Sequence, residues 1–220
     1  MTLSGTKGVV VALSSAVLIA GCGGSDPSSG AGSGASTPAP TPTQTQTQTA
    51  AVAWADGVCS ASTELGDSVR DAGTALQADP SSSATSLTQA RAQVRDRVAA
   101  VQQAAASLDS AISAVPAGAD PQLVAAQQQL QTASQRAKSA VDQLGAAASQ
   151  VTDAGTASEV AAGLVSLKAT FAGTATDVAT YREALRGTVN GAGQAARNAF
   201  GAAPACQDIA ASRTATATSS

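Results

Sequence analysis

Apolar residues recur along most of the chain at alternating steps of three and four, which places them on one face of a helix. Four such stripes follow one another: Trp54 to Leu76, Val94 to Val115, Leu123 to Val151 and Val160 to Leu185. The steps are those of heptads, the seam spacing of bundled helices. No stretch of useful length alternates with a period of two, so the pattern predicts an all-α fold without strands.

Residues that end or start helices lie between the stripes. Pro80, followed by a run of serines, separates the first two segments. Asp120 and Pro121 supply an N-cap and a proline at the first helical position of the third segment. Thr156-Ala-Ser-Glu159 has the spacing of a capping box at the start of the fourth. These signals predict four separate helices.

The connections between these helices are short, and short connections force neighbouring helices to run antiparallel. The sequence therefore predicts an up-down-up-down four-helix bundle over residues 51–209. Arg186 and Gly187 predict the end of the fourth helix, and a shorter extra helix is expected at about residues 189–200. Residues 210–220 are predicted to be a disordered tail.

The first 22 residues have the features of an export signal. One basic residue, Lys7, precedes an uncharged apolar run over residues 8–20. As a helix this run spans about 20 Å, less than the ~30 Å of a bilayer core, which is typical of a signal peptide. Its end, IAGC at residues 19–22, resembles the lipobox of bacterial lipoproteins. The resemblance implies that residues 1–21 are removed and that Cys22 becomes an acylated N-terminus; the alternative is plain secretion with an incidental cysteine.

Residues 22–50 are predicted to be a disordered tether. They carry no large apolar side chain, and their Gly/Ser-rich first half is followed by a stiffer Pro/Thr-rich half, which is a bare spacer or a carrier of O-linked sugars. The whole chain resembles the small Ala/Thr-rich lipoproteins of high-GC Gram-positive bacteria. That resemblance implies a lipid-anchored protein on the outer face of the cytoplasmic membrane, and it implies no particular mechanism.

The three cysteines divide into one anchor and one pair. With Cys22 assigned to lipidation, Cys59 and Cys206 remain. In an up-down-up-down bundle the start of the first helix and the end of the fourth lie at the same end, so the topology predicts a Cys59–Cys206 disulfide, which export permits. A free or metal-binding pair is the weaker alternative, because the chain has no histidine and no CxxC spacing.

The charged residues of the first two helices are expected to help pair these helices more than to form a reactive or metal-binding site. Three carboxylates share one face of the first helix, and three arginines lie on the second: Glu64, Asp67 and Asp71; Arg91, Arg95 and Arg97. Folding the hairpin about Pro80 places the two sets opposite each other, so we expect an acidic and basic rim. A divalent-cation site at the carboxylates is the alternative.

The aromatic and hydroxyl residues within the stripes are expected to be structural. Trp54 and Tyr181 are the single Trp and Tyr of the chain, and both are predicted to pack in the core, with ligand stacking as the alternative. Ser62, Ser134 and Thr174 are expected to bond to backbone carbonyls one turn back, with a polar cavity as the alternative.

The sequence contains no catalytic motif, and neither a metal ligand set nor a cofactor site is predicted. The absence of histidine removes the commonest general base, and a net charge of −3 gives no drive toward nucleic acid. We therefore expect a non-enzymatic binding or scaffold module at the cell envelope, held to the membrane through Cys22, with an envelope protein or a cell-wall component as partner. A carrier of a small apolar ligand in the bundle core is one alternative, and an envelope enzyme with convergent carboxylates is another.

Overall fold

The computed structural model describes residues 42–77 and 87–209, and within these ranges the chain is helical apart from short connections. Five helices are formed: α1 (Pro42–Gln77), α2 (Leu87–Ser113), α3 (Pro121–Thr152), α4 (Ala157–Gly191) and α5 (Gln194–Ala202). One more helical segment covers 204–209. The described ranges contain no strand, and the prediction of an all-α fold is confirmed. The predicted signal peptide, Cys22, most of the tether and the tail lie outside the described residues.

The four long helices form a closed ring, in which α1 and α3 each pack against both α2 and α4. Successive helices are antiparallel: Trp54 in the first half of α1 bonds to Ile112 near the end of α2, and Gly163 early in α4 lies against Val151 at the end of α3. The predicted bundle topology is therefore confirmed. No helix of the described part is long and apolar enough to cross a membrane.

The predicted stripes form the core. Each long helix contributes a large aliphatic residue that is at most 1 % exposed: Leu65, Val101, Leu130 and Leu167. Many of the other buried seam positions are alanines. Small side chains let helix backbones approach closely, but each buries little apolar area. The helices are therefore closely packed, but the core buries little apolar area per residue.

Both predicted helix starts are confirmed. The Asp120 carboxylate accepts a hydrogen bond from the Gln122 N–H at 2.8 Å, and Pro121 follows as the first helical residue of α3. At α4 the Thr156 hydroxyl accepts from the Glu159 N–H, and the Glu159 carboxylate accepts from the Thr156 N–H at 2.8 Å. Backbone and side-chain hydrogen bonds from Thr156, and a further backbone bond from Gly155, lower the pKa of Glu159.

Two helix boundaries differ from the prediction. Helix α1 begins at Pro42 and not at residue 51, so residues 42–50 of the predicted tether are helical. Proline is favoured at a first helical position, and once a helix is nucleated by packing, adding turns costs little. Helix α4 continues through Gly187 to Gly191, because the next residue, Thr188, is buried in the bundle. Tertiary packing therefore overrides the glycine signal.

The extra helix begins later than expected, at Gln194, and it completes one end of the core. The Phe200 ring packs edge-on against the Trp54 indole, with 5.5 Å between ring centroids. The Gln122 side chain accepts a hydrogen bond from the Ala195 N–H at 3.0 Å and so ties the start of α5 to α3. Helix α5 thereby packs on α1 around Trp54, which is 5 % exposed.

Candidate binding groove

The predicted disulfide is present at the end of the bundle that α5 covers. Cys59 and Cys206 are bonded, with 5.2 Å between their Cα atoms across a sequence separation of 147. The Asp56 carboxylate accepts a hydrogen bond from the Ala205 N–H at 2.8 Å and fixes segment 204–209 on α1. The prediction that the topology brings these two cysteines together is confirmed.

Within the described ranges no ion pair joins the three predicted carboxylates of α1 to the three predicted arginines of α2, so the predicted rim does not form. Asp67 pairs with Arg70 of its own helix at 2.7 Å, with both side chains largely exposed. The half-buried Arg91 guanidinium donates to the Ala154 carbonyl in the connection between α3 and α4. The prediction was wrong because the spacing along the hairpin gave only the height of Arg91 along the bundle axis and not the direction of its side chain. That side chain points toward the connection between α3 and α4 and not toward α1. Within 42–77 and 87–209 no three potential metal-ligating side chains cluster.

The aromatic and hydroxyl residues follow the predictions with one exception. Trp54 and Tyr181 are buried, at 5 % and 2 % exposure. Thr174 donates to the carbonyl of Thr170 one turn back at 3.0 Å, and Ser134 donates to the carbonyl of Gln131 at 2.9 Å. Ser62 is the exception.

Of the four buried polar side-chain atoms without a partner in the described ranges, three lie where α1 meets α4, and the fourth is the Nε of Arg91 on α2. The hydroxyls of Ser62 and Tyr181 and the Nε of Arg182 are buried and find no hydrogen-bond partner in the described part of the chain. Burial raises the pKa of Tyr181, because the ionised phenolate would lose its hydration. The helix pair α1/α4 therefore has unused hydrogen-bonding capacity.

An elongated, half-open groove of about 450 Å³ runs along the same helix pair. Its apolar lining includes buried Val69, Phe171 and Val178. Small residues of both helices also line it: Gly66, Gly73, Ala172, Ala175 and Ala179. Because these side chains do not fill the space between the two helices, a cleft remains there.

Three cationic residues line the groove: Arg70, Lys168 and Arg182. No carboxylate of the described ranges lines it. The Arg182 Nη2 donates to the carbonyls of Ser62 and Thr63, at 3.2 and 3.4 Å. Its guanidinium lies across Gly66, where any Cβ would collide with it. Burial lowers the pKa of Arg182, and the nearby Asp67 charge opposes this effect without forming an ion pair.

A second groove, of about 320 Å³, lies beside the disulfide between α4, α5 and segment 204–209. Leu185, Phe200 and Ile209 supply apolar surface there. Its cation, Arg186, is held by Glu183 of the same helix. This second groove offers apolar contact without an unpaired charge, so the α1/α4 groove is the better candidate site.

Sequence reasoning did not find the α1/α4 groove. The apolar stripes indicate which residues face the core, but Arg182 is adjacent in sequence to the core residue Tyr181 and lies outside that pattern. The small residues Gly66 and Gly73, one heptad apart on α1, are a weak signal of a cleft. Chemically, the groove combines an apolar floor with N–H donors, an arrangement suited to binding.

No family of known proteins, no curated protein and no solved structure matches this chain.

Proposed function

We propose that this protein is a lipid-anchored, extracytoplasmic binding module that holds a ligand with an elongated apolar body in the groove between α1 and α4. The observation that carries the proposal is the groove itself. Its volume of about 450 Å³ is in the range of small-molecule sites, and its floor is apolar with few polar groups. The ligand site of this proposal is on the side of the bundle, whereas the ligand carrier considered as an alternative from the sequence would hold its ligand in the bundle core.

Two features support the extracytoplasmic, membrane-anchored part of the proposal. The sequence at residues 1–22 has the pattern of a lipoprotein signal. The Cys59–Cys206 disulfide is a bond that persists in oxidising compartments and is rare in the cytosol. A stable anchor through acylated Cys22 would keep the binding groove at the membrane surface.

Binding is favoured over catalysis by the chemistry of the groove lining. The ionisable side chains that line it are two arginines and one lysine. Catalysis of hydrolysis or acyl transfer needs a positioned general base or an activated nucleophile. Guanidinium groups stay protonated and act as fixed donors.

A groove-filling substitution tests the proposal. Ala175 is exposed and lines the groove, so Ala175→Phe should occupy the cleft without disturbing the core. The full chain is used with Cys22→Ser, which removes the anchor from every sample. We expect the uncharged fluorescent probe Nile red to bind, and Ala175→Phe to weaken its binding at least about tenfold.

Ala169→Phe is the matched control, because Ala169 is an exposed alanine of the same helix that does not line the groove. It should leave the affinity for Nile red unchanged. Equal affinities for the two phenylalanine variants would overturn the proposed binding site, and so would a complete absence of probe binding to the parent chain.

A further inference from the structure

We infer that the ligand of the α1/α4 groove is a single-chain anionic lipid, whose carboxylate head group binds the Arg182 guanidinium and whose tail lies along the apolar floor. The inference rests on the proposed function and specifies the ligand of the same groove. Three observations carry it. The groove is elongated, and the Arg182 guanidinium has no carboxylate partner. Of the other two cations that line the groove, Arg70 is paired with Asp67 and Lys168 lies at the opposite end from Arg182.

The shape of the groove suits one extended chain. Lys168 and Arg182 both line it and are fourteen residues apart on α4, which corresponds to about 21 Å along the helix axis. Between them the lining is mainly apolar, built from Val69, Phe171 and Val178 with small residues around them, and Arg70 and Thr74 are its polar members. A long apolar tail gains by burial in such a cleft in proportion to its area.

Arg182 has capacity for an anion at one end of this cleft. Its Nη2 already bonds to two α1 carbonyls, whereas within the described ranges its Nη1 makes no hydrogen bond and its buried Nε has no acceptor. No carboxylate of the described part lies within 4.0 Å of its guanidinium. A half-buried cation without a counter-charge carries an uncompensated desolvation cost, and a carboxylate offers both an acceptor and the missing charge.

The other two cations indicate a head group with a single negative charge. Arg70 is engaged by Asp67, and Lys168 is exposed at the opposite end of the groove. One guanidinium is therefore available at the Arg182 end. A carboxylate balances it, whereas a doubly charged phosphate would leave charge unpaired in a half-buried site.

Calorimetric titration with two amphiphiles of equal tail length tests the inference. Laurate carries the anionic head group, and glycerol monolaurate is uncharged; both are added below their micelle concentrations to the full chain with Cys22→Ser. We expect laurate to bind at least about tenfold tighter than glycerol monolaurate, since hydrogen bonds between a guanidinium and a carboxylate are stronger than those to a neutral head group. Arg182→Gln should remove that difference while leaving the monolaurate affinity unchanged.

Arg136→Gln is the matched control, because Arg136 is an exposed arginine of α3 and does not line the groove. It should not alter the binding of either amphiphile. If Arg182→Gln fails to fold, Gly66→Ala provides the second variant: its methyl group displaces the Arg182 guanidinium and keeps the charge in the chain. Gly57→Ala is its control, because Gly57 is an exposed residue of the same helix that does not line the groove, and its Cβ would meet nothing within 4 Å.

The outcomes separate this inference from the proposed function. If laurate and glycerol monolaurate bind equally, and Arg182→Gln changes neither affinity, the head-group site at Arg182 is wrong while the proposed binding groove is retained. Tighter binding of dodecyl phosphate than of laurate would overturn the assignment of a carboxylate. Binding of neither lauroyl amphiphile, together with no binding of Nile red, would overturn both proposals.

Discussion

At the scale of single residues, the contacts of a side chain depend on whether it lies on the apolar face of its helix or outside that face. Trp54 and Tyr181 are in the core because they continue apolar stripes, and stripes are visible in a sequence. The partners of Asp67 and Arg91 depend on how each helix is rotated about its own axis. Periodicity fixes that rotation for the apolar face only. The unpartnered Nε of Arg182 was therefore beyond prediction.

The buried hydroxyl of Tyr181 leads to a prediction about stability. Since this hydroxyl has no hydrogen-bond partner in the described ranges, it is buried at a cost that a phenylalanine would not carry. We expect Tyr181→Phe to raise the free energy of unfolding by about 1 kcal/mol or to leave it unchanged. Urea denaturation followed by circular dichroism measures the difference.

Thr174→Val provides the contrast for Tyr181→Phe. The Thr174 hydroxyl is also buried, but it bonds to the carbonyls of Thr170 and Ala140. Its removal should lower the free energy of unfolding by about 1 kcal/mol. A loss of that size or larger in Tyr181→Phe would mean that the tyrosine hydroxyl is satisfied and that our description of this site is incorrect.

At the scale of helices, the caps and the stripes were predictable and two of the boundaries were not. Asp120 and Glu159 act through neighbours within three residues, so their signals are local. The end of α4 depends on the burial of Thr188, which is a property of the assembled bundle. The start of α1 at Pro42 likewise depends on the stability of the helix that follows it. Sequence signals within a few residues therefore do not predict a helix boundary that depends on packing between helices.

A pair of glycine substitutions in α4 tests the close packing of α3 on α4. A Cβ at Gly163 would lie 2.9 Å from the Val151 Cγ2 and 3.4 Å from the Val151 Cα. Gly163→Ala should therefore lower the free energy of unfolding by about 1–3 kcal/mol through overpacking. Thermal denaturation at fixed pH measures the change.

Gly173→Ala is the matched control for Gly163→Ala. Gly173 is an exposed mid-helix residue whose Cβ would meet nothing within 4 Å. Alanine should stabilise the helix at this position by about 0.5–1 kcal/mol. If both variants are stabilised, the two helices do not approach as closely at Val151 as the structure indicates.

At the scale of the whole molecule, the disulfide compensates for a thin core. It closes a span of 147 positions in a bundle whose seams are rich in alanine. The sequence predicted this bond from two premises: Cys22 was assigned to the anchor, and an even number of antiparallel helices brings the start of the first helix and the end of the fourth to the same end of the bundle. The placement of α5 was not predictable in the same way, since it depends on the contact between Trp54 and Phe200.

Reduction of the disulfide should lower the free energy of unfolding by about 2–5 kcal/mol, because the unfolded chain then gains freedom. Urea denaturation with and without reductant measures the loss, and a Cys59→Ala/Cys206→Ala chain should show no response to reductant.

The proposed lipid anchor is tested by the intact mass of the protein from its native membrane fraction. We expect the loss of residues 1–21 and an added acyl mass on Cys22; an unlipidated mass would contradict the proposed anchor.

The most direct test of the central claim, that the groove between α1 and α4 is the binding site, is to map laurate binding by backbone amide chemical shifts. The sample is the ¹⁵N-labelled full chain with Cys22→Ser. We expect the shift changes to concentrate around Gly66, Gly73, Ala175 and Arg182, with α2 and α3 unaffected. Changes centred instead on the groove beside the disulfide, or spread evenly over the bundle, would contradict the claim.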